Sequence, residues 1–290
     1  MVAPRARNFW DDDASVVPTL GPAAGGDRVA HTRTSPAVGA LLMPLLHRLR
    51  LGEGGLIGMA TWAAAWETAD PLRTASVLVL TTALLAALYL YNDVSDRAVD
   101  SYNPAKIAEH RAPLARRPGA FFAIALATHA VVCAAAWVLL GPFAAGCGVL
   151  LLALNPLYSG VAKRVPGLDV VVVGAMGAAV VGFATTSASL LLIAGAMTAI
   201  SHAFQTRDDT AADRAAGIRS SATAAPVARE AIWLAVAAAF AWTVFARLGA
   251  AWAASAVMPY ALLSRARDAN RGWAIARVYF AVVWIAATVR

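Results

Sequence analysis

Charged residues are scarce in this chain of 290 residues. Asp, Glu, Lys and Arg together make up 14% of it, hydrophobic residues make up 60%, and the mean hydropathy is +0.62. A soluble domain needs more polar surface than this to be wetted by water. The composition therefore excludes an ordinary soluble protein and indicates that lipid is the solvent.

Cysteine is also rare, and the sequence lacks the pattern of a cleaved signal peptide. Both cysteines, Cys133 and Cys147, fall inside apolar runs, which argues against a disulfide framework or a zinc site. The first 35 residues contain Pro, Gly, Asp and Arg but no apolar h-region. We therefore expect residues 1–35 to form a flexible cytoplasmic tail and residues 36–290 to form a single transmembrane domain.

Long apolar runs dominate the rest of the sequence. A helix needs about 20 apolar residues to cross roughly 30 Å of hydrocarbon, and cutting the chain at its polar or Pro/Gly-rich gaps gives nine segments near that length. They predict an all-α, multi-spanning membrane protein. The stretch 36–48 is too short to span and predicts an interfacial helix. The nine predicted spans are residues 52–68, 72–92, 119–140, 142–160, 168–187, 189–206, 225–246, 249–264 and 272–289.

Positive charge is concentrated in the gaps between the apolar runs. The net charge is +7, but the basic residues do not form one polar stripe, so nucleic acid is not an expected partner. Following the predicted spans places 20 of the 24 Lys and Arg residues on one side of the membrane, which the positive-inside rule assigns to the cytoplasm. We expect an integral protein of the cell membrane, the inner membrane in a bacterium, with its N-terminus and polar loops cytoplasmic.

An acidic motif, NDVSDRAVD, follows the second predicted span. At about 100° per residue, Asn92, Asp96 and Asp100 lie near one helical face. Carboxylates stacked in a partly desolvated site repel one another unless a cation neutralises them. Hard oxygen ligands on few residues, with room left for water and phosphate oxygens, suit Mg²⁺. This motif therefore predicts ligands for a magnesium ion.

A second acidic motif, DDTAADRAAGIR, follows the sixth predicted span. Asp209 and Asp213 repeat the four-residue spacing, and Gly217 can end the helix. Arg214 and Arg219 supply positive charge for phosphate oxygens. Either acidic motif alone could be a solvated connector. Both motifs on one face of the membrane favour a shared ligand site.

Two further polar elements have a functional and a structural interpretation. Lys163 and Arg164 follow the fourth predicted span, where they could bind an anion or serve only the positive-inside rule. His202 lies about two helical turns before Asp209 and could line the same cavity. A lone His in an apolar helix more often hydrogen-bonds a backbone carbonyl, so the sequence assigns it no catalytic role.

The combination of motifs resembles the UbiA superfamily of intramembrane prenyltransferases. The pattern N-D-x-x-D-x-x-x-D, then L-Y-S with K-R a few residues on, then D-x-x-x-D-R-x-x-G-I-R covers about residues 48–290. The resemblance implies about nine helices around a central cavity, with Mg²⁺ holding the diphosphate of an isoprenoid donor. The chain departs from the family at Thr206, where a further acid is common, and in the loop RAPLAR that starts at Arg111.

The charges of the motif residues and the resemblance together give each of these residues an expected role. The expected Mg²⁺ ligands are Asn92, Asp96, Asp100, Asp209 and Asp213. The residues expected to bind the diphosphate are Arg111, Lys163, Arg214 and Arg219. The residues expected to be catalytic are Asp96, Asp209 and Lys163.

The expected partners are a prenyl diphosphate donor, an acceptor whose identity the sequence leaves open, and the lipid bilayer. A transferase would move the isoprenoid chain to an aromatic or lipophilic acceptor. A terpene cyclase of the same superfamily would use the same acidic motifs without an acceptor, and the sequence does not separate the two. A transporter or scaffold ranks last because few polar groups lie near the middle of the predicted spans.

Overall fold

The protein is built from α-helices. A computed structural model describes residues 54–97, 117–265 and 269–290, and every regular element in these ranges is helical. The predicted tail, its boundary at residue 35, the interfacial helix 36–48, Asp100 and Arg111 lie outside the described residues. The helices are α1 (Gly54–Thr68), α2 (Pro71–Ser95), α3 (Pro118–Leu139), α4 (Pro142–Gly160), a 3₁₀ turn (Ala162–Arg164), α5 (Leu168–Val181), α6 (Ala188–Asp208), α7 (Thr210–Ala215), α8 (Pro226–Leu248), α9 (Ala250–Ser255), α10 (Val257–Arg265) and α11 (Ala269–Val289).

Proline marks where several of these helices begin. It has no N–H and a fixed φ, and both properties suit the first helical position. At α2 the preceding Asp70 adds a side-chain cap, since its carboxylate accepts a hydrogen bond of 2.9 Å from the Leu72 N–H. The helices that begin this way are α2 at Pro71, α3 at Pro118, α4 at Pro142 and α8 at Pro226.

The lengths of the helices support a membrane protein. Among the described residues, six helices are long and apolar enough to cross a bilayer. Helix α5 is apolar but has only 14 residues, so at 1.5 Å per residue it is about 21 Å long. The all-α, multi-spanning fold is confirmed, but the predicted count of nine spans is not. The six are Pro71–Ser95, Pro118–Leu139, Pro142–Arg164, Ala188–Arg207, Pro226–Leu248 and Arg271–Val289.

The outer surface of the helices carries large apolar side chains. Trp137 in α3 is 62% exposed and Trp242 in α8 is 69% exposed. Soluble proteins rarely present such residues in numbers, because contiguous apolar surface in water drives association. In a bilayer the same side chains contact lipid, which agrees with the lengths of the helices.

Glycine lets α5 and α6 approach closely. A Cβ at Gly174 would lie 3.0 Å from the Gly195 carbonyl oxygen, and a Cβ at Gly177 would lie 2.0 Å from Thr198 Oγ1. No larger residue fits at Gly177 without moving α6. The hydrophobic effect contributes little to the association of helices in lipid. Close van der Waals packing of this kind therefore holds membrane helices together.

Two tryptophans join the first and last described helices. The indole N–H of Trp62 in α1 donates to Thr288 Oγ1 at 2.8 Å, and the indole N–H of Trp284 in α11 donates to the Met59 carbonyl oxygen at 3.0 Å. An indole N–H surrounded by apolar groups needs such an acceptor. These bonds hold α11 against α1.

Candidate functional site

The first acidic motif lies at the end of α2. The Asp96 N–H donates to the Asn92 carbonyl oxygen at 2.7 Å, so the helical hydrogen-bond pattern continues as far as Asp96. Asn92 and Asp96 are therefore one turn apart on one helical face, as their spacing predicts. Both side chains are half-buried.

The last turn of α4 and the 3₁₀ turn that follows it contact this face. Ser159 Oγ donates to Asn92 Oδ1 at 3.0 Å, and Lys163 Nζ lies 2.8 Å from Asp96 Oδ2. The side chains of Lys163 and Asp96 are only 14% and 16% exposed. Partial burial strengthens a charge-assisted hydrogen bond of this length. The cation and hydroxyl of one segment thus contact the acidic motif of another.

The second acidic motif lies where α6 passes into α7. The Asp209 N–H donates to the Gln205 carbonyl oxygen at 3.0 Å, and the Asp213 N–H donates to the Asp209 carbonyl oxygen at 2.9 Å. Asp209 and Asp213 therefore keep helical spacing across the junction. Asp213 is buried, and its Oδ2 accepts a hydrogen bond of 2.9 Å from Ser220 Oγ.

Gly217 ends this motif. Its φ is +70°, which favours glycine, and its N–H donates to the Arg214 carbonyl oxygen at 3.1 Å. The Ile218 N–H donates to the Asp213 carbonyl oxygen at 2.8 Å. These two bonds form a Schellman motif, so the prediction that Gly217 ends the helix is confirmed. Arg214 and Arg219, on either side of the turn, have exposed side chains.

Tyr158 lies between the two motifs. Its ring meets the ring of His202 edge to face, with centroids 5.6 Å apart and planes at 79°. Its hydroxyl is close enough to Asp96, Asp209 and Asp213 to feel the charge of all three carboxylates. The ends of α2, α4 and α6 therefore meet at one end of the helices.

A cavity of about 130 Å³ opens beside Tyr158. Its lining includes Asn92 of the first motif among several polar residues, and the rest of the lining is mostly apolar. Such a cavity can hold a ligand with a polar head and an apolar tail. Its polar lining residues are Tyr89, Asn92, Tyr158, Thr198, His202 and Gln205. The rest of its lining is Leu56, Leu85, Leu88, Val173, Met176, Gly177 and Val180.

A buried carboxylate that the sequence analysis did not single out lies behind this cavity. Asp169, at the start of α5, is fully buried. Its Oδ1 accepts hydrogen bonds from the Gly167 N–H at 3.0 Å and from Ser221 Oγ, and its Oδ2 accepts one of 2.8 Å from the Ser221 N–H. An acid at the start of an apolar segment is typical of a helix N-terminus, so no sequence pattern indicates that Asp169 lies near the site.

His202 departs from the expectation for a lone histidine in an apolar helix. Its Nε2 lies 4.0 Å from Asp169 Oδ2 and has no hydrogen-bond partner among the described residues. Gln205, about one turn on, lines the same cavity. The expected hydrogen bond from the ring to a backbone carbonyl is therefore not found at this nitrogen among the described residues, and His202 lines the cavity instead.

The comparison with family models identifies the chain. The model of the UbiA prenyltransferase family matches residues 55–284. The chain belongs to the UbiA prenyltransferase family. A comparison with curated proteins finds no match. Among solved structures, the apo structure of a UbiA homolog from Aeropyrum pernix K1 has the same fold, with 20% identity and a TM-score of 0.56 over 80% of this chain and 96% of that chain.

Membership of the UbiA family confirms the resemblance seen in the motifs. It makes the protein an enzyme of the prenyltransferase type that works in a membrane, with a prenyl diphosphate as its class of substrate.

The UbiA family generally uses a divalent metal, and the residues of this chain suit one. Within the described ranges, no three His, Cys, Asp or Glu side chains lie together as a metal-binding group. Mg²⁺ commonly takes one or two carboxylates and completes its shell with water and substrate phosphate oxygens. The oxygens of Asn92 and Asp96 on one side of the site, and of Asp209 and Asp213 on the other, form a donor set of this kind.

Proposed function

We propose that this UbiA protein transfers an isoprenoid chain from a prenyl diphosphate to an aromatic or lipophilic acceptor, with Mg²⁺ as its cofactor. The observation that carries the proposal is the cavity beside Tyr158. Its lining includes Asn92 of the first motif among several polar residues, and the rest of the lining is mostly apolar. A diphosphate fits the polar lining and an isoprenoid chain fits the apolar lining.

Cations of the chain are proposed to bind the diphosphate. A prenyl diphosphate carries about three negative charges near pH 7, and an uncompensated anion in a partly desolvated site is costly. The Lys163 ammonium has three N–H donors. One of them is directed to Asp96 at 2.8 Å, which leaves others for phosphate oxygens. Arg214 and Arg219 at the second motif, and Arg111 in the first loop, are proposed to neutralise the remaining charge.

The acidic residues are proposed to hold the metal. The ligands would be supplied by the two motifs from opposite sides of the site. Bound Mg²⁺ would act as a Lewis acid that stabilises the negative charge of the leaving diphosphate. The proposed ligands are Asn92, Asp96, Asp100, Asp209 and Asp213.

The chain's own residues would then favour transfer over hydrolysis. The allylic C–O bond breaks and its electron pair leaves with the diphosphate, whose charge Lys163 partly neutralises. The apolar walls at Leu85, Leu88 and Met176 would exclude water from the allylic cation. The π electrons of the acceptor then form the new bond to the isoprenoid chain.

One experiment tests the proposal and separates it from its alternatives. The purified protein is incubated with Mg²⁺ and geranyl, farnesyl or geranylgeranyl diphosphate, with and without aromatic acceptors, and the products are identified by mass spectrometry. We expect release of diphosphate and a prenylated product that requires an acceptor. A cyclic hydrocarbon formed without an acceptor would show a terpene cyclase instead. Absence of diphosphate release from all three donors would contradict both enzymes.

A further inference from the structure

Two histidines are buried in the apolar helices, and they differ in their surroundings. His129 in α3 is 3% exposed, and its Nε2 lies 2.8 Å from the Gly148 carbonyl oxygen. His202 in α6 is 6% exposed, and its Nε2 has no hydrogen-bond partner among the described residues. A buried polar nitrogen without a partner is costly. His129 has a structural bond, whereas His202 lines the cavity.

Asp169 gives this nitrogen a buried counter-charge. Its Oδ2 lies 4.0 Å from His202 Nε2, which is too far for a hydrogen bond but close enough for a strong interaction between opposite charges. Hydrogen bonds from Gly167 and Ser221 fix the carboxylate in place. If Nε2 took up a proton, the imidazolium would therefore lie beside a carboxylate that needs no rearrangement.

We propose that His202 is the base that removes the proton released at the end of the reaction. The inference rests on the proposed function. After the C–O bond breaks and a new bond forms, the product is still a carbocation with a C–H bond next to the positive carbon. That C–H bond breaks, its electron pair restores the double bond or the aromatic ring, and the proton passes to His202 Nε2. Asp169 stabilises the imidazolium, which later returns the proton to water.

The other groups at the cavity suit this role less well. Both oxygens of Asp169 already accept hydrogen bonds from the protein. The Tyr158 hydroxyl is a weak base when it carries its proton. Asn92 and Gln205 have amide side chains, which accept hydrogen bonds but do not take up protons near neutral pH. Among the groups that line the cavity, the imidazole of His202 has a basic nitrogen that makes no hydrogen bond within the part of the chain that the structure describes.

The test separates ionisation of the donor from the fate of the carbocation. The full-length protein is incubated with farnesyl diphosphate and Mg²⁺ without an acceptor. The cation then either loses a proton to a base, which gives a hydrocarbon with a new double bond, or captures water, which gives an alcohol. Released diphosphate measures ionisation, and gas chromatography with mass spectrometry measures the ratio of hydrocarbon to alcohol.

Two substitutions remove the basic nitrogen in different ways. His202→Gln retains hydrogen-bonding capacity, and His202→Phe retains a ring against Tyr158. We expect diphosphate release within about threefold of the original protein and a ratio of hydrocarbon to alcohol that falls by at least about a hundredfold, the lower end for loss of a general base. His129→Gln is the matched control because it replaces a buried histidine outside the cavity, and we expect it to leave the ratio unchanged.

Each outcome of this test supports or contradicts the role of His202 as the base. An unchanged ratio in a folded His202 variant would overturn the proposal, and so would loss of diphosphate release in both folded variants, because His202 would then act in ionisation or in structure. Size-exclusion chromatography and thermal unfolding report which of the two variants is folded, and either one suffices. If the original protein releases diphosphate only with an aromatic acceptor, the ratio of prenylated product to alcohol is measured with that acceptor present. If it releases no diphosphate even then, the proposed function fails, and that failure is visible before any variant is compared.

Discussion

Lys163 and Asp96 form an ion pair, with 2.8 Å between Nζ and Oδ2, although 67 positions separate them in the sequence. The pair joins the 3₁₀ turn after α4 to the first acidic motif at the end of α2. Both side chains are mostly buried, so solvent screens their attraction less than at an exposed surface. A cation proposed to bind phosphate therefore lies directly on a carboxylate proposed to bind metal.

Replacing this cation should weaken catalysis. Lys163→Met removes a charge-assisted hydrogen bond to the donor, so we expect a higher apparent KM or a lower kcat. The loss should be on the order of 1–3 kcal/mol in kcat/KM. Steady-state assays of diphosphate release on folded protein measure this effect.

Arg265→Met is the matched control for the Lys163 substitution. Arg265 ends α10, and its side chain is exposed, so its charge is expected to serve only the orientation of the protein in the membrane. We expect little change in either constant. Equal and small effects of the two substitutions would show that Lys163 is also only a positive-inside residue.

The orientation of the protein can be tested by labelling. We propose that the N-terminus and both acidic loops are cytoplasmic, because 20 of the 24 Lys and Arg residues fall on one side of the predicted spans. Single cysteines at Ser101 and at the exposed Arg219 should react with an impermeant thiol reagent in inside-out vesicles and stay unlabelled in intact cells. Labelling of the two positions from opposite sides would exclude a shared site.

The contact between α5 and α6 predicts a specific loss of stability. A Cβ at Gly177 would lie 2.0 Å from Thr198 Oγ1 and 2.4 Å from Thr198 Cβ, so Gly177→Ala must push the helices apart. We expect a loss of about 1–3 kcal/mol in the free energy of unfolding, the usual range for overpacking. Thermal unfolding in detergent measures it through a lower Tm.

Gly146→Ala provides the comparison. Gly146 lies inside α4 with an exposed surface, and a Cβ there would meet no described atom within 4 Å. Alanine favours the helix over glycine by up to about 1 kcal/mol in soluble helices, so we expect an unchanged or higher Tm. A similar loss of Tm in both variants would mean that the contact with Thr198 is not the cause.

Much of the helical structure could be predicted because the signals are local. The predicted segment 142–160 coincides with α4, which begins at a proline and ends before polar residues. The segment 168–187 was predicted too long, since α5 ends at Val181. Thr185 beyond it is held by a tertiary contact, a hydrogen bond of 2.6 Å to Glu67. Its partner lies 118 positions away, and no local pattern reports such a contact.

Part of the candidate site could also be predicted from local sequence patterns, and part of it could not. The four-residue spacing of each acidic motif predicted that its carboxylates share a helical face, because that depends only on helical geometry. The contact of Lys163 with Asp96 and the position of Asp169 behind His202 depend on how distant helices pack. Asp169 and Ser221 are 52 positions apart, and neither lies in a motif, so sequence reasoning could not bring them to the site.

The central claim is that both acidic motifs act on one prenyl diphosphate, and the most direct measurement is Mg²⁺-dependent release of diphosphate by three variants. We expect Asp96→Ala and Asp209→Ala each to lose nearly all turnover at saturating Mg²⁺ while remaining folded, because each removes a proposed ligand from a different motif. Asp70→Ala removes the cap at the opposite end of α2, so it should cost about 1 kcal/mol of stability and keep its turnover. Near-normal release by either motif variant would contradict the claim.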